Sequence, residues 1–79
     1  FFIALTSMGA DWHVATSGND LDPGTSLLPF ETIQKAIDVA SSGDVIYVAA
    51  GTYNEKIIVA HKGIEIHGLG VDPNPTIID

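Results

Sequence analysis

Three lysines, three histidines and ten carboxylates are the groups in this chain that could move protons or hold metal ions; arginine and cysteine are absent. Asn19, Asp20 and Asp22 precede Gly24 in the run TSGNDLDPGTSLLP. Oxygen ligands beside a glycine invite calcium, but an EF-hand loop needs a third ligand before its Gly and a Glu further on. Asx side chains that bond their own backbone account for the same residues. The segment therefore reads as a turn, with Asp20 and Asp22 as the residues to watch for calcium. The other acids stand singly between apolar segments, with no close pair on one strand face for acid–base work. Lys35 falls on a helix, and Lys56 and Lys62 flank short strands, as solvated surface lysines do. His13, His61 and His67 are far apart, and none has a second ligand at helical or strand spacing. Trp12 and Tyr53 have the apolar faces that stack on sugar rings, yet they read as packing residues beneath or beside the helix. No catalytic, cofactor-binding or metal-ligating residue is expected within this chain.

The elements that would position these groups centre on Phe30 to Tyr53, FETIQKAIDVASSGDVIYVAAGTY. Ile33, Ala36, Ile37 and Ala40 recur at i, i+3, i+4 and i+7, one stripe of a helix, with Gln34, Lys35 and Asp38 on its other side. Thr32 suits the N-cap, and Gly43 suits the left-handed residue that ends a helix. Val45 to Val48 is short and β-branched, hence a strand. Gly51 to Tyr53 reads as a turn, with Gly51 at the corner and Tyr53 covering it. A helix this short needs an apolar surface to lie on.

Upstream, FFIALTSMGA (residues 1–10) resembles the back half of a secretory signal peptide, with the domain running from residue 11 to 79. Ser7 and Gly9 suit the −3 and −1 positions of a cut before Ala10; a cut after Ala10 would put Met8 at −3. Trp12 and Val14 alternate around His13 as in a short strand. Downstream, KIIVA, IEIHG and TIID read as strands, with Ile57 and Val59 on one face of the first and Ile64 and Ile66 on one face of the second. Glycines and prolines interrupt them, and no Asn-Gly or Asp-Gly signal makes a hairpin. Short strands without hairpins suggest a chain winding in coils, each strand stacking in parallel on the coil before it. The first coil of such a winding has an open edge. The amphipathic helix laid over that end would bury the apolar cross-section.

Composition excludes some roles. A net charge of −7 repels phosphate backbones, so nucleic acid is not an expected partner. No stretch reaches the ~20 apolar residues that span a bilayer. Seventy-nine residues make one domain at most, with marginal burial. The segment reads as the N-terminal piece of a longer protein, and as a piece expected to aggregate or stay partly unfolded when produced alone.

PFETIQKAIDVASSGDVIYVAAGTYNEKIIV, followed by IEIHGLG and TIID, is similar to the N-terminal cap and first coil of secreted right-handed parallel β-helix proteins, the pectate lyase-like superfamily. The upstream WHVATSGNDLDPGTSLLPF resembles the leader of its polysaccharide lyase-type members. The resemblance spans Trp12 to Asp79 and implies an all-β fold, a right-handed parallel β-helix with an N-terminal α-helical cap. It also implies an extracellular or periplasmic protein that acts on polysaccharide. Lyases of this fold abstract a proton alpha to a uronate carboxyl with an Arg or Lys base, often aided by calcium. That machinery would lie on coils beyond Asp79. The alternatives are a non-catalytic adhesin or structural β-helix, and a pectin methylesterase-like enzyme, whose Gly-x-Tyr-x-Glu and Gly-x-Gly segments are similar.

Overall fold

The structure is a computed structural model that describes residues 9–59, 63–71 and 75–78. The residues expected to form most of the signal peptide (1–8), His61, Lys62 and Asp79 lie outside that set. The helical stripe forms where its periodicity predicts. Helix α1 (Ile33–Val39) buries Ile33, Ala36 and Ile37, and Thr32 caps it by accepting from the Lys35 amide at 3.2 Å. The stop differs from expectation. Ala40 is the C-cap, in extended conformation with φ −70°, and its own amide still bonds to the Ala36 carbonyl. Gly43 has φ +93°, but it serves the tight turn that follows rather than the helix end.

Among the described residues five strands accompany the helix: β1 (Asp11–Val14), β2 (Val45–Val48), β3 (Gly51–Tyr53), β4 (Glu65–Gly68) and β5 (Thr76–Ile78). All their pairings are parallel. One sheet runs β1-β2-β4 and a second pairs β3 with β5. Parallel neighbours cannot be joined by a hairpin. From β2 onward the chain instead alternates between the sheets, β2 to β3 to β4 to β5, and each return adds a strand beside the earlier one. Register stacks like on like: Trp12, Ile46 and Ile66 share one row, and His13, Tyr47 and His67 the next.

The core sits between α1 and the inner face of the first sheet. Val14, Ile33, Ile37, Ile46 and Val48 are its largest fully buried side chains, joined by Phe30, Ala36, Ala40 and Tyr53. Full burial of an aliphatic side chain of this size is worth roughly 1.5–3 kcal/mol. Trp12, Ile57 and Ile64 pack against its margin. The alternation in β2 is what feeds it: Ile46 and Val48 point in, while Val45 and Tyr47 remain half-buried outside.

Two further expectations are corrected. Gly51 to Tyr53 is a strand, paired with β5, and the bend falls before it at Ala49–Ala50. Gly51 does carry a positive φ of +142°, and a Cβ there would lie 2.9 Å from the Thr16 methyl, so glycine is needed at the start of the strand rather than in a turn. The run KIIVA forms no strand over residues 54–59. Its Ile58 backbone is held by a side chain instead, the amide donating to Gln34 Oε1 at 2.8 Å and the carbonyl accepting from Gln34 Nε2 at 3.1 Å. Ile57 turns toward the core while Ile58 and Val59 stay exposed.

Replacing Ile46 by Ala removes a side chain with no solvent exposure from the row between Trp12 and Ile66. The expected cost is about 2–5 kcal/mol, read by denaturant unfolding of the protein that carries this segment. A loss below about 0.5 kcal/mol would contradict the assigned core.

Candidate functional site

Carboxylates gather around the start of α1, and the chain's described groove lies there. Glu55 reaches back across 22 positions so that Oε2 accepts from the Ile33 amide at 2.8 Å and Oε1 from the Gln34 amide at 3.0 Å. First-turn amides have no partner inside a helix, and a carboxylate is their strongest acceptor. Asp20 completes the arrangement from the other side. Its Oδ1 accepts from the Glu31 and Thr32 amides at 2.8 and 2.9 Å, and its Oδ2 from the Thr32 hydroxyl at 2.7 Å. Partial burial works to raise the Asp20 pKa. The bonds from Thr32 and Glu31, with the Lys35 charge, outweigh it, so the carboxyl lies below its ordinary value.

Beside Glu55 opens a groove of about 320 Å³, lined by Thr16, Glu31, Thr32, Thr52, Tyr53, Asn54 and Glu55. Its walls offer hydroxyls, an amide and carboxylates, and no basic side chain is among them. Such a lining can hydrogen-bond to neutral hydroxyl groups. Both Glu55 oxygens are already held by backbone amides. Tyr53 contributes through its body rather than as a free phenol: its ring is buried and its hydroxyl donates to the Ala49 carbonyl at 2.9 Å. Burial, assisted by the nearby Glu55 carboxylate and opposed by a bond with the Thr16 backbone, raises the Tyr53 pKa.

The turn reading of Asn19 is realised, for its Oδ1 accepts from the Leu21 amide at 2.8 Å while the Asp22 amide bonds to the Asn19 carbonyl at 2.9 Å. Asp20 points to the helix start and not into a site shared with Asp22. No group of three or more His, Asp or Glu side chains suited to a metal ion occurs among the described residues. His13 and His67 flank Tyr47 in a stack along the first sheet, with centroids 5.3 and 5.7 Å apart. His67 also meets Glu65 at 2.9 Å on the exposed surface. Lys35 lies over the Phe30 ring, 5.8 Å from its centroid. Trp12 stacks on the other aromatic of the core edge, Phe30, at 5.8 Å and 19°.

Two residues that sequence reasoning passed over organise this end of the molecule. Glu55 stood in the sequence only as the end of the Gly-x-Tyr-x-Glu segment, with no sign of its partners 21 and 22 residues away. Asp44 is buried, at 6% exposure, and accepts from the Ala10 amide (2.8 Å), the Trp12 indole (2.9 Å) and the Ser41 amide (2.8 Å). Its only sequence trace is a polar residue between a turn glycine and an apolar strand.

The Asp20 geometry sets a pH dependence. A carboxyl whose folded pKa is lowered stabilises the fold above its unfolded value, near ~3.9, and that contribution is lost as pH falls through the lower folded value. Asp20→Asn is expected to flatten the acid limb of the stability profile below about pH 4. An unchanged limb would refute the role. Thr32→Ala, which removes the cap and the Asp20 partner together, is expected to cost about 0.5–2 kcal/mol in denaturant unfolding.

Comparison with known proteins places this geometry. A family profile described as "Protein of unknown function (DUF1565)" matches residues 16–67. The uncharacterized protein YwoF of Bacillus subtilis (strain 168) is 34% identical over 53 residues, 67% of this chain and 11% of that protein. Pectate lyase PEL9 of Emericella nidulans is 41% identical over 46 residues, 58% of this chain and 11% of that protein. A solved structure described as the complex of XylC with xylose superposes with a TM-score of 0.65 at 37% identity, covering 72% of this chain and 10% of its own. The chain thus spans about a tenth of the length of these relatives. It belongs to the DUF1565 family of parallel β-helix proteins and forms part of a pectate lyase-like β-helix.

Proposed function

We propose that this chain is the N-terminal portion of an exported, carbohydrate-active β-helix protein, and that the whole protein is a polysaccharide lyase. The observation that carries this reading is the 41% identity to Pectate lyase PEL9 across 46 residues. In the proposed reaction a base removes the proton alpha to a uronate carboxyl. The electrons form a carbon–carbon double bond as the glycosidic oxygen departs, leaving an unsaturated sugar end. The base belongs to later coils: this chain has no arginine, and Glu55 in its groove is taken up by the start of α1. Calcium, where the reaction needs it to acidify the reacting carbon, would be held there as well.

In this reading α1 is the cap. It packs on β1 and β2 and buries the apolar stripe that the first coil would otherwise present to water. The winding is right-handed, as crossovers between parallel strands almost always are. At the other end Ile66, Ile77 and Ile78 are between 37% and 45% exposed on β4 and β5. The following coil would cover them and pair their open edges. Export is supported by the small and apolar run at residues 1–10. No helix among the described residues is long and apolar enough to cross a membrane.

The test is an assay of the full-length protein on polygalacturonate with and without added calcium. Unsaturated product is expected from the full-length protein and none from residues 11–79 alone. Methanol release from methylated pectin without unsaturation would replace the lyase with an esterase. Binding without turnover would leave a non-catalytic glycan-binding or structural β-helix.

A further inference from the structure

We infer that the exported protein is cut between Gly9 and Ala10, and that the new α-ammonium group of Ala10 forms an ion pair with the buried carboxylate of Asp44. The inference rests on the export reading above and adds the place of the cut and its structural purpose. Two bonds could be cleaved on residue type alone, the one before Ala10 and the one after it. The fold separates them. The Ala10 nitrogen donates to Asp44 Oδ1 at 2.8 Å, and the Ala10 carbonyl accepts from the Val45 amide at 2.9 Å, extending the pairing of β1 with β2. A cut after Ala10 discards both bonds and takes a donor from a carboxylate that is 6% exposed. A buried carboxylate that loses a donor is costly.

A cut before Ala10 keeps both bonds and strengthens one of them. Water adds to the Gly9 carbonyl carbon, and the Gly9–Ala10 peptide bond breaks under an endopeptidase of the export route. The leader leaves as a carboxylate, and Ala10 takes up protons to become an ammonium. That nitrogen already lies at hydrogen-bond distance from Oδ1, so a neutral amide donor becomes a charged one without any move of the chain. Oδ2 is meanwhile held by the Trp12 indole at 2.9 Å and the Ser41 amide at 2.8 Å, which keeps the carboxylate aimed at the new terminus. Both Gly9 and Ala10 are exposed, as a bond open to a protease must be. The rival is a chain that keeps Gly9. A Cβ at that position would come within 1.9 Å of the Gly43 oxygen, so a close approach to the turn also accounts for a glycine there.

The experiment is the N-terminal peptide mass of the full-length protein recovered from the medium of an exporting host. A first residue of Ala10 is expected. A first residue of Asp11, of Gly9 or of any earlier position overturns the inference while export stands. Protein retained in the cell with its leader uncut overturns the export reading as well. A second measurement compares the full-length protein beginning at Ala10 with one beginning at Gly9 and with an N-acetylated form. An α-amino group ordinarily titrates near ~8, and an ion pair raises that value in the folded state. The stabilisation is therefore complete below the ordinary value and lost as pH rises through the raised one. The melting temperature of the Ala10 form is expected to fall toward about pH 10 more steeply than that of the other two. Asp44→Asn is expected to abolish that difference. Identical alkaline profiles for the three forms would overturn the ion pair, whether or not the Asn variant folds.

Discussion

The burial of the Asp44 carboxylate is the constraint from which the rest of this structure follows. A charge removed from water must be met by donors, and those that meet it come from three separate places: the approach to β1 (Ala10), the side chain of Trp12, and the turn after α1 (Ser41). Satisfying one carboxylate therefore fixes where β1 begins, how the indole lies and where the helix exits. With Trp12 oriented, its ring stacks on Phe30, and Phe30 is the last core residue before the helix cap. The parallel register of Asp11 with Val45 starts beside the same group. The parallel sheet inherits its alignment from this point, and Ile46 and Val48 fall inward as a consequence.

The same economy governs the carboxylates at the start of α1. Asp20 and Glu55 approach the start of α1 from opposite sides of the sequence, and each is consumed by backbone amides. A seven-residue helix has more unsatisfied ends relative to its length than a long one. Two carboxylates plus the Thr32 hydroxyl convert those ends into anchor points that bind the helix to the turn before it and to the segment after β3. Gln34, in that same first turn, repeats the device by gripping both polar groups of the Ile58 backbone. Polar side chains thus hold residues 54–59, which the sheets leave unpaired, against the helix. The groove beside Glu31 and Asn54 is the space left between these anchors, and its acceptor-rich lining reflects their work.

Periodicity was the readable part of the fold. The stripe of Ile33, Ala36 and Ile37 and the β-branched run at β2 each declare their buried face through local spacing, and both occur as expected. So do the short strands around Trp12, Glu65 and Thr76, since turn residues bound them and no hairpin signal joins them. The misreadings share one cause. KIIVA has the composition of a strand, yet an amide side chain took its backbone bonds before a neighbouring strand could. Gly-Thr-Tyr has the composition of a turn, yet β5 lies alongside to pair with it. Strand formation depends on a partner far along the chain, and composition does not report whether one is present. Gly43 carried the positive φ that its type suggests, but Ala40 had already ended the helix.

By itself the sequence determined the element types, the face each would bury, the Thr32 cap and the turn at Asn19, because all of these depend on residues within one or two helical turns of each other. Only the tertiary structure decided the roles of Asp20, Asp44 and Glu55. Apart from Ser41, three positions from Asp44, the partners named for them stand 11 to 34 positions away, and a carboxylate gives no local sign of whether it will meet water, a metal ion or the amides of a helix. That choice is made when burial removes the water.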